Sequence, residues 1–340
     1  MSGSLAIAGR EFPWFDDRLL ADELTSRSVE VDFVDWRSPD FEPADYDAVY
    51  VSSTWNLRQD PDGFLDWLAR CEADGRQRLI NDAPVLREGV IKSIYLTAMA
   101  ERFGEDDKPE GSITPSRFYS LMGEAEHNTR PAAGTSLSDI TAGLDESPEW
   151  QGRDLVLKPI VSADGHDTYI VVRSGALPAV RPEHVLDLTG ADEAFEGIVQ
   201  APGGYGAIVQ CYQRGIEAGE YSLVFLGGAF SHGILKPPGF RSSDTSQRRA
   251  LDPAEIPPAM LGFAQAIIDW AATRYGEGAV TRARIDLIKG EHGPVLCEFE
   301  CVEPNTNLRS FDEAARASIV PGYADAILAR MAQLRHHSGG

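Results

Sequence analysis

Lysine is scarce in this chain, five of 340 residues against 26 arginines. Each lysine inside an apolar strand or at a loop edge is therefore a candidate for a specific task. Bases together are outnumbered by acids, 31 to 53, giving a formal charge of −22. That balance excludes the basic surface that a nucleic-acid backbone requires. No apolar run is long enough to span a bilayer, and the N-terminus has no basic segment followed by a long apolar one. A cytoplasmic protein without membrane contact is expected. The four cysteines, at 71, 211, 297 and 301, have neither metal-ligand nor redox spacing and are expected to be reduced and structural. The Walker phosphate loop and the dinucleotide fingerprint are both missing.

What is present begins with a βαβ rhythm over the first ninety residues. Leu5 to Ala8, Val29 to Val34 and Ala48 to Ser52 read as strands, and Phe15 to Ser26 and Pro61 to Ala73 as helices. Strands alternating with helices predict an α/β fold with a parallel sheet. Trp55 follows the third strand, at the end where open sheets place ligands, and reads equally as a plug of the domain. Further along, hydrophobic spacing predicts helices over Ile91 to Phe103, Pro258 to Tyr275 and Gly322 to Leu334.

Chemistry concentrates in three places. Between Ala283 and Pro304, alternation puts Arg284 and Asp286 on one face of a strand and Glu298 and Glu300 on one face of the next. Three acids on one surface repel unless a cation shares them, and hard oxygen donors suit magnesium. The plainer reading is a solvated strand face. Lys158 ends the apolar strand Asp154 to Pro159, where an embedded cation needs an anion, and the small, polar hairpin after it contains Gly165 and His166. Lys92 sits in the first turn of its helix, against the helix dipole, as either a surface lysine or a partner for an outside anion. Lys236 and Arg241 flank a proline-stiffened loop after the predicted hairpin Gly219 to Lys236.

The order of these pieces resembles the ATP-grasp superfamily. Ser53 to Asn56, Lys92 to Leu96, Gly219 to Leu223, Ser231 with His232, Phe240 with Arg241, and Glu298 to Pro304 are similar to the group containing the O-ureido-serine cyclo-ligase of cycloserine biosynthesis. Bacterial glutathione synthetase is a more distant likeness. The resemblance implies an ATP-grasp fold: a Rossmann-like pre-grasp domain over 1–89, a lid subdomain over 90–208 and a C-terminal subdomain with the metal site over 209–337. It implies ATP and Mg2+ as cofactors and a small amino-acid-like substrate, with many relatives dimeric.

The implied roles follow residue by residue. Lys92 and Lys158 would contact the phosphates, with Gly165 and His166 in a flap over them. Gln210, Cys211 and Tyr212 would read adenine, and Glu217 would lie near the ribose. Asp286, Glu298 and Glu300 would hold magnesium. Arg284, Lys236 and Arg241 would face the reacting groups. The activity expected is ATP-dependent joining of a carboxylate and an amine through an acyl phosphate, with intramolecular ring closure as one alternative and nucleotide binding without catalysis as another.

Overall fold

The structure, a computed structural model, describes residues 3–9, 13–105, 108–121, 128–163, 165–175, 182–201, 205–237 and 247–337. The chain opens with β1 (Gly3–Gly9), α1 (Phe15–Ser26), β2 (Val29–Asp35), β3 (Ala48–Val51), α2 (Pro61–Cys71), β4 (Leu79–Ile80) and α3 (Ala83–Val90). The four strands form a parallel sheet in the order β2-β1-β3-β4. All four residues of β3 are buried, as expected for a strand covered on both faces. The helical spacing of α2 turns Phe64, Trp67, Leu68 and Cys71 inward.

Next come α4 (Lys92–Phe103), β5 (Ser112–Ile113), β6 (Ser116–Tyr119), α5 (Leu137–Leu144), β7 (Leu155–Pro159), β8 (Tyr169–Val171), β9 (Val185–Leu186), α6 (Leu188–Gln200) and β10 (Ala207–Cys211). A second sheet runs β6-β10-β7-β8-β9. Leu155, Leu157, Val171, Ala207 and Val209 pack from it onto Leu137 of α5, Phe195 of α6 and Trp150. The expected boundary at 208/209 falls within β10.

The chain closes with β11 (Glu220–Leu226), β12 (Ala229–Lys236), β13 (Arg249–Leu251), α7 (Pro258–Tyr275), β14 (Arg282–Lys289), β15 (Pro294–Glu300) and α8 (Glu313–His337). The third sheet has the order β13-β12-β11-β14-β15-β5, so β5 crosses over to join the C-terminal strands. Phe263, Ala264, Ile267 and Ile268 of α7 share a core with Leu223, Ile285, Leu287 and Phe299 of this sheet. The last helix is longer than the spacing predicts, because it runs through Pro321. Its apolar stripe continues across the proline, with Val320, Tyr323, Ala324, Ile327, Met331 and Leu334 all buried, and that packing outweighs the lost backbone bond.

One side chain fixes the first sheet against the third. Asn81, just past β4, donates from Nδ2 to the carbonyls of Arg282 and Cys301, each at 2.7 Å, and Oδ1 accepts from the amides of Thr281 at 2.7 Å and Arg282 at 2.9 Å. Four bonds to one buried amide, each worth about 1 kcal/mol net, set the N-terminal loops over the strands that carry the acids. No helix among the described residues is long and apolar enough to cross a membrane. All four cysteines are free thiols.

Candidate active site

A cavity of about 800 Å3 lies where the second and third sheets and the N-terminal loops meet. Its floor is β14 and β15. Their antiparallel register sets Arg284 opposite Glu300 and Asp286 opposite Glu298, while Ile285 and Phe299 turn to the core. The period-two reading of these strands is therefore met in space, and all four charged side chains line the cavity.

Asp286 is tightly held. Arg284 donates Nε to Oδ1 and Nη2 to Oδ2, each at 2.8 Å; Ser222 Oγ reaches Oδ1 at 2.6 Å and Lys236 Nζ reaches Oδ2 at 2.9 Å. Burial would push this carboxyl up, but Arg284 and then Lys236 overcome it and hold the group well below the usual carboxylate range. Lys236 also donates to Glu220 Oε1 at 2.7 Å. Although Lys236 lines the cavity, two acids neutralise it.

Glu298 and Glu300 are different. Lys92 Nζ lies 3.4 Å from Glu298 Oε1, and Arg284 Nη2 lies 3.9 Å from Oε2. Burial raises the Glu298 carboxyl, and Lys92 together with Arg284 and Lys158 outweighs that, so the group stays low. Glu300 is raised, first by burial and then by repulsion from Glu298. Among the described residues, its Oε1 accepts from the amides of Val302 at 3.0 Å and Glu303 at 3.1 Å.

Two neighbouring half-buried carboxylates of which one is strained upward fit a divalent cation with hard ligands. Asp286, with its oxygens already taken, does not complete the set in this arrangement. Among the described residues no three His, Cys, Asp or Glu side chains gather as a metal-holding group.

The two lysines face the same space. Lys92 is buried at the start of α4 and donates to the carbonyl of Ser162, 2.7 Å away in the β7–β8 hairpin. Lys158 is half-buried on β7, and no hydrogen bond or ion pair holds it among the described residues. Burial lowers its ammonium, Glu298 pulls it back up and Lys92 lowers it again. A desolvated cation repelled by a second cation is a site waiting for an anion.

Gly165 lines the cavity, as do Gln210, Cys211 and Tyr212 at the end of β10. Gln210 Nε2 donates to Ser116 Oγ at 2.7 Å, which fixes that strand end. Two expected residues lie elsewhere. His166 lines an adjoining cavity that shares Ala163, Gly165 and His184 with the first, and Glu217 accepts from Tyr212 Oη at 3.1 Å without lining the main cavity. Arg241 is outside the described residues.

Sequence reasoning passed over much of the opposite wall. Trp14, Asp16 at the start of α1, and Asn305, Asn307 and Arg309 after β15 line the cavity unforeseen, beside Trp55, which the sequence left open between ligand contact and plug. Trp55 is thus a cavity wall, half-buried and edge-on to Trp14 at 4.8 Å.

The loop carrying these residues is anchored by His232 on β12, whose Nε2 lies 2.7 Å from the carbonyl of Thr306. Burial pushes this imidazole down to about 4 from an ordinary 6.5. The unfolded chain then binds the proton more readily, so His232's contribution is complete above its unfolded value and is lost as pH falls through the window between the two values. His232→Gln should therefore lessen the fall in stability between pH 7 and pH 5 by about 2 kcal/mol, measured as the shift in urea midpoint at each pH.

Known proteins share this fold. A family model described as D-cycloserine synthetase DcsG, N-terminal domain, matches residues 6–81. No curated protein sequence matches the chain. A crystal structure of D-cycloserine synthetase DcsG is 21% identical, with 97% of this chain and 100% of that chain covered at a TM-score of 0.74. A RimK domain protein ATP-grasp from Sphaerobacter thermophilus DSM 20745 is 15% identical, with 95% and 98% covered at 0.59. A D-alanine–D-alanine ligase from Bacillus anthracis complexed with ATP is 12% identical, with both chains covered completely at 0.55. The chain thus has the mixed α/β fold of the ATP-grasp proteins and resembles, from its N-terminal segment through the whole architecture, D-cycloserine synthetase.

Proposed function

We propose that this protein is an ATP-dependent carboxylate–amine ligase. The observation that carries the proposal is Lys158, without a bonded partner among the described residues, beside Lys92 and lining one cavity with Arg284, Glu298 and Glu300. It is supported by the names of the solved neighbours, which include a cycloserine synthetase and a D-alanine ligase complexed with ATP.

In this reading the two lysines hold the phosphates of ATP, with the β7–β8 hairpin and Gly165 covering them, and the end of β10 receives the base. Glu298 and Glu300 would hold magnesium, which would supply charge neutralisation at the phosphates when bound, while Asp286 stays committed to Arg284, Lys236 and Ser222. Arg284 is fixed by Asp286, so its guanidinium is positioned before the substrate arrives and steadies the carboxylate being activated. The carboxylate takes the terminal phosphoryl group to give an acyl phosphate and ADP. An amine then displaces phosphate and forms the amide-type bond. No side chain acts as nucleophile; the residues position the groups, neutralise charge and keep water from the acyl phosphate.

Intramolecular ring closure is the version favoured by the match of residues 6–81 to the cycloserine synthetase domain. The test is ADP release with magnesium ATP against amino acids and O-substituted serines, each alone and then in pairs, with products read by mass spectrometry. Release with one compound and a ring-closed product is expected. Release only with pairs would replace ring closure by intermolecular ligation. Silence across the panel despite ATP binding would favour a nucleotide-binding protein without this chemistry.

A further inference from the structure

A short polar relay in the second sheet reaches the cavity from behind. Antiparallel pairing of β10 with β6 sets Gln210 opposite Ser116, and pairing of β10 with β7 sets it opposite Val156. Side chains paired across neighbouring strands project to one face, and Gln210 and Val156 both line the cavity. Gln210 is 5% exposed and Ser116 is 6%, so the polar atoms of both need partners.

Proton count fixes the direction of the bond between them. A serine hydroxyl has one proton to give. Ser116 Oγ gives it to the carbonyl of Thr114, 2.8 Å away, which can only accept. Towards Gln210 the hydroxyl is therefore an acceptor, and the amide nitrogen Nε2 is the end that faces it, at 2.7 Å. Oε1 is turned away from Ser116. It has no hydrogen-bond partner among the described residues, and it is not sealed in the interior. An amide that is otherwise enclosed thus presents one open acceptor to the cavity, and such an atom is costly until a ligand brings it a donor.

We propose that Ser116 is a positioning residue for base selectivity: it locks the Gln210 amide with Oε1 towards the base, which favours a 6-amino purine over a 6-oxo purine. The inference rests on the ligase reading for its placement of the base at the end of β10. Adenine brings an N–H donor to Oε1. Hypoxanthine and guanine bring a carbonyl to the same place, and two acceptors then face each other with no proton between them. Without the Ser116 hydroxyl the amide is free to turn over and to offer Nε2 to that carbonyl.

The test is isothermal titration of the full chain with magnesium ATP and with magnesium ITP, without any amine substrate. ITP carries an oxygen in place of the 6-amino group and has the same ribose and triphosphate. Wild type should bind ATP roughly 30-fold more tightly than ITP. Ser116→Ala should cut that ratio to about fivefold, chiefly by improving the binding of ITP, a gain that general loosening of the strand would not produce. Gln210→Met, similar in length and without the acceptor, should lower the ratio as far. Adding Ser116→Ala to it should change the ratio no further, because the serine acts through the glutamine.

The wild-type comparison of the two nucleotides needs no variant and stands by itself. Equal affinity for ATP and ITP, an undiminished ratio in Ser116→Ala, or a further fall when Ser116→Ala is added to Gln210→Met would overturn the proposal. ADP release with a ratio that neither substitution alters would reject the relay and leave the ligase. A ratio that falls in both variants, with no ADP release from any compound, would reject the ligase and leave the relay.

Discussion

Lys158→Met should lower ADP release by roughly a hundred- to a thousandfold while the protein melts at or above the wild-type temperature. The two halves of this expectation have one origin. Lys158 sits on β7 and lines the cavity, desolvated, near Lys92 and without a bonded partner among the described residues. In the free protein that charge is a liability, and methionine fills a similar volume without it.

The stability difference also has a defined pH course. The ammonium is held below its ordinary 10.5, so its penalty is complete below that lowered value, where both folded and unfolded chains carry the charge. It fades as pH rises through the interval between the lowered value and the ordinary one. In the reaction the same charge faces the phosphates, where removing one fixed electrostatic donor typically costs two to three orders of magnitude, roughly. Melting curves and a coupled ADP assay read the two effects separately. A variant that melts lower with turnover intact would make Lys158 a structural residue and remove the main support for the ligase reading.

How much of this was legible from the sequence depends on how far apart the interacting residues lie. The acidic face needed only the alternation of two adjacent strands, and Arg284 with Asp286 does face Glu298 with Glu300. The clamp on Asp286 was not legible. It depends on β11 pairing with both β12 and β14, which brings Ser222, Lys236 and Glu220 together over separations of up to 64 residues. Lys236 therefore faces the cavity as expected, but already neutralised.

Asp16 was hidden for another reason. An acid in the first turn of a helix is the ordinary complement of the helix dipole and signals nothing more. What singles it out is burial under Thr306 and Leu308, some 290 residues away. His166 and Glu217 show the converse, since likeness in order along the chain does not fix which way a hairpin or a short turn points its side chains. The final helix fails at its start for a local reason, because proline reads as a stop and only the tertiary packing of Val320 and Tyr323 overrides it.

Glu300→Gln should reduce turnover by roughly a hundred- to a thousandfold and change nucleotide affinity by less than about tenfold, with no loss of folded stability in EDTA. Glutamine is nearly isosteric and keeps an oxygen for the amides of Val302 and Glu303, so the turn after β15 retains its bonds. What it removes is one of two half-buried carboxylates that repel each other, Glu298 being the second contributor, after burial, to the raised Glu300 carboxyl. Without metal that repulsion is a cost to the folded chain, and its loss should leave the melting temperature equal or higher. With magnesium and ATP the balance reverses, because the negative charge is then what neutralises the cation. Wild type should accordingly gain more thermal stability than Glu300→Gln when magnesium ATP is added. Nucleotide affinity changes less, since Lys92, Lys158 and the end of β10 remain. Melting with and without magnesium ATP, together with ADP release, distinguishes the outcomes. Equal gains and equal turnover in the two proteins would make Glu300 a structural acid and leave Glu298 without the neighbour that the metal site requires.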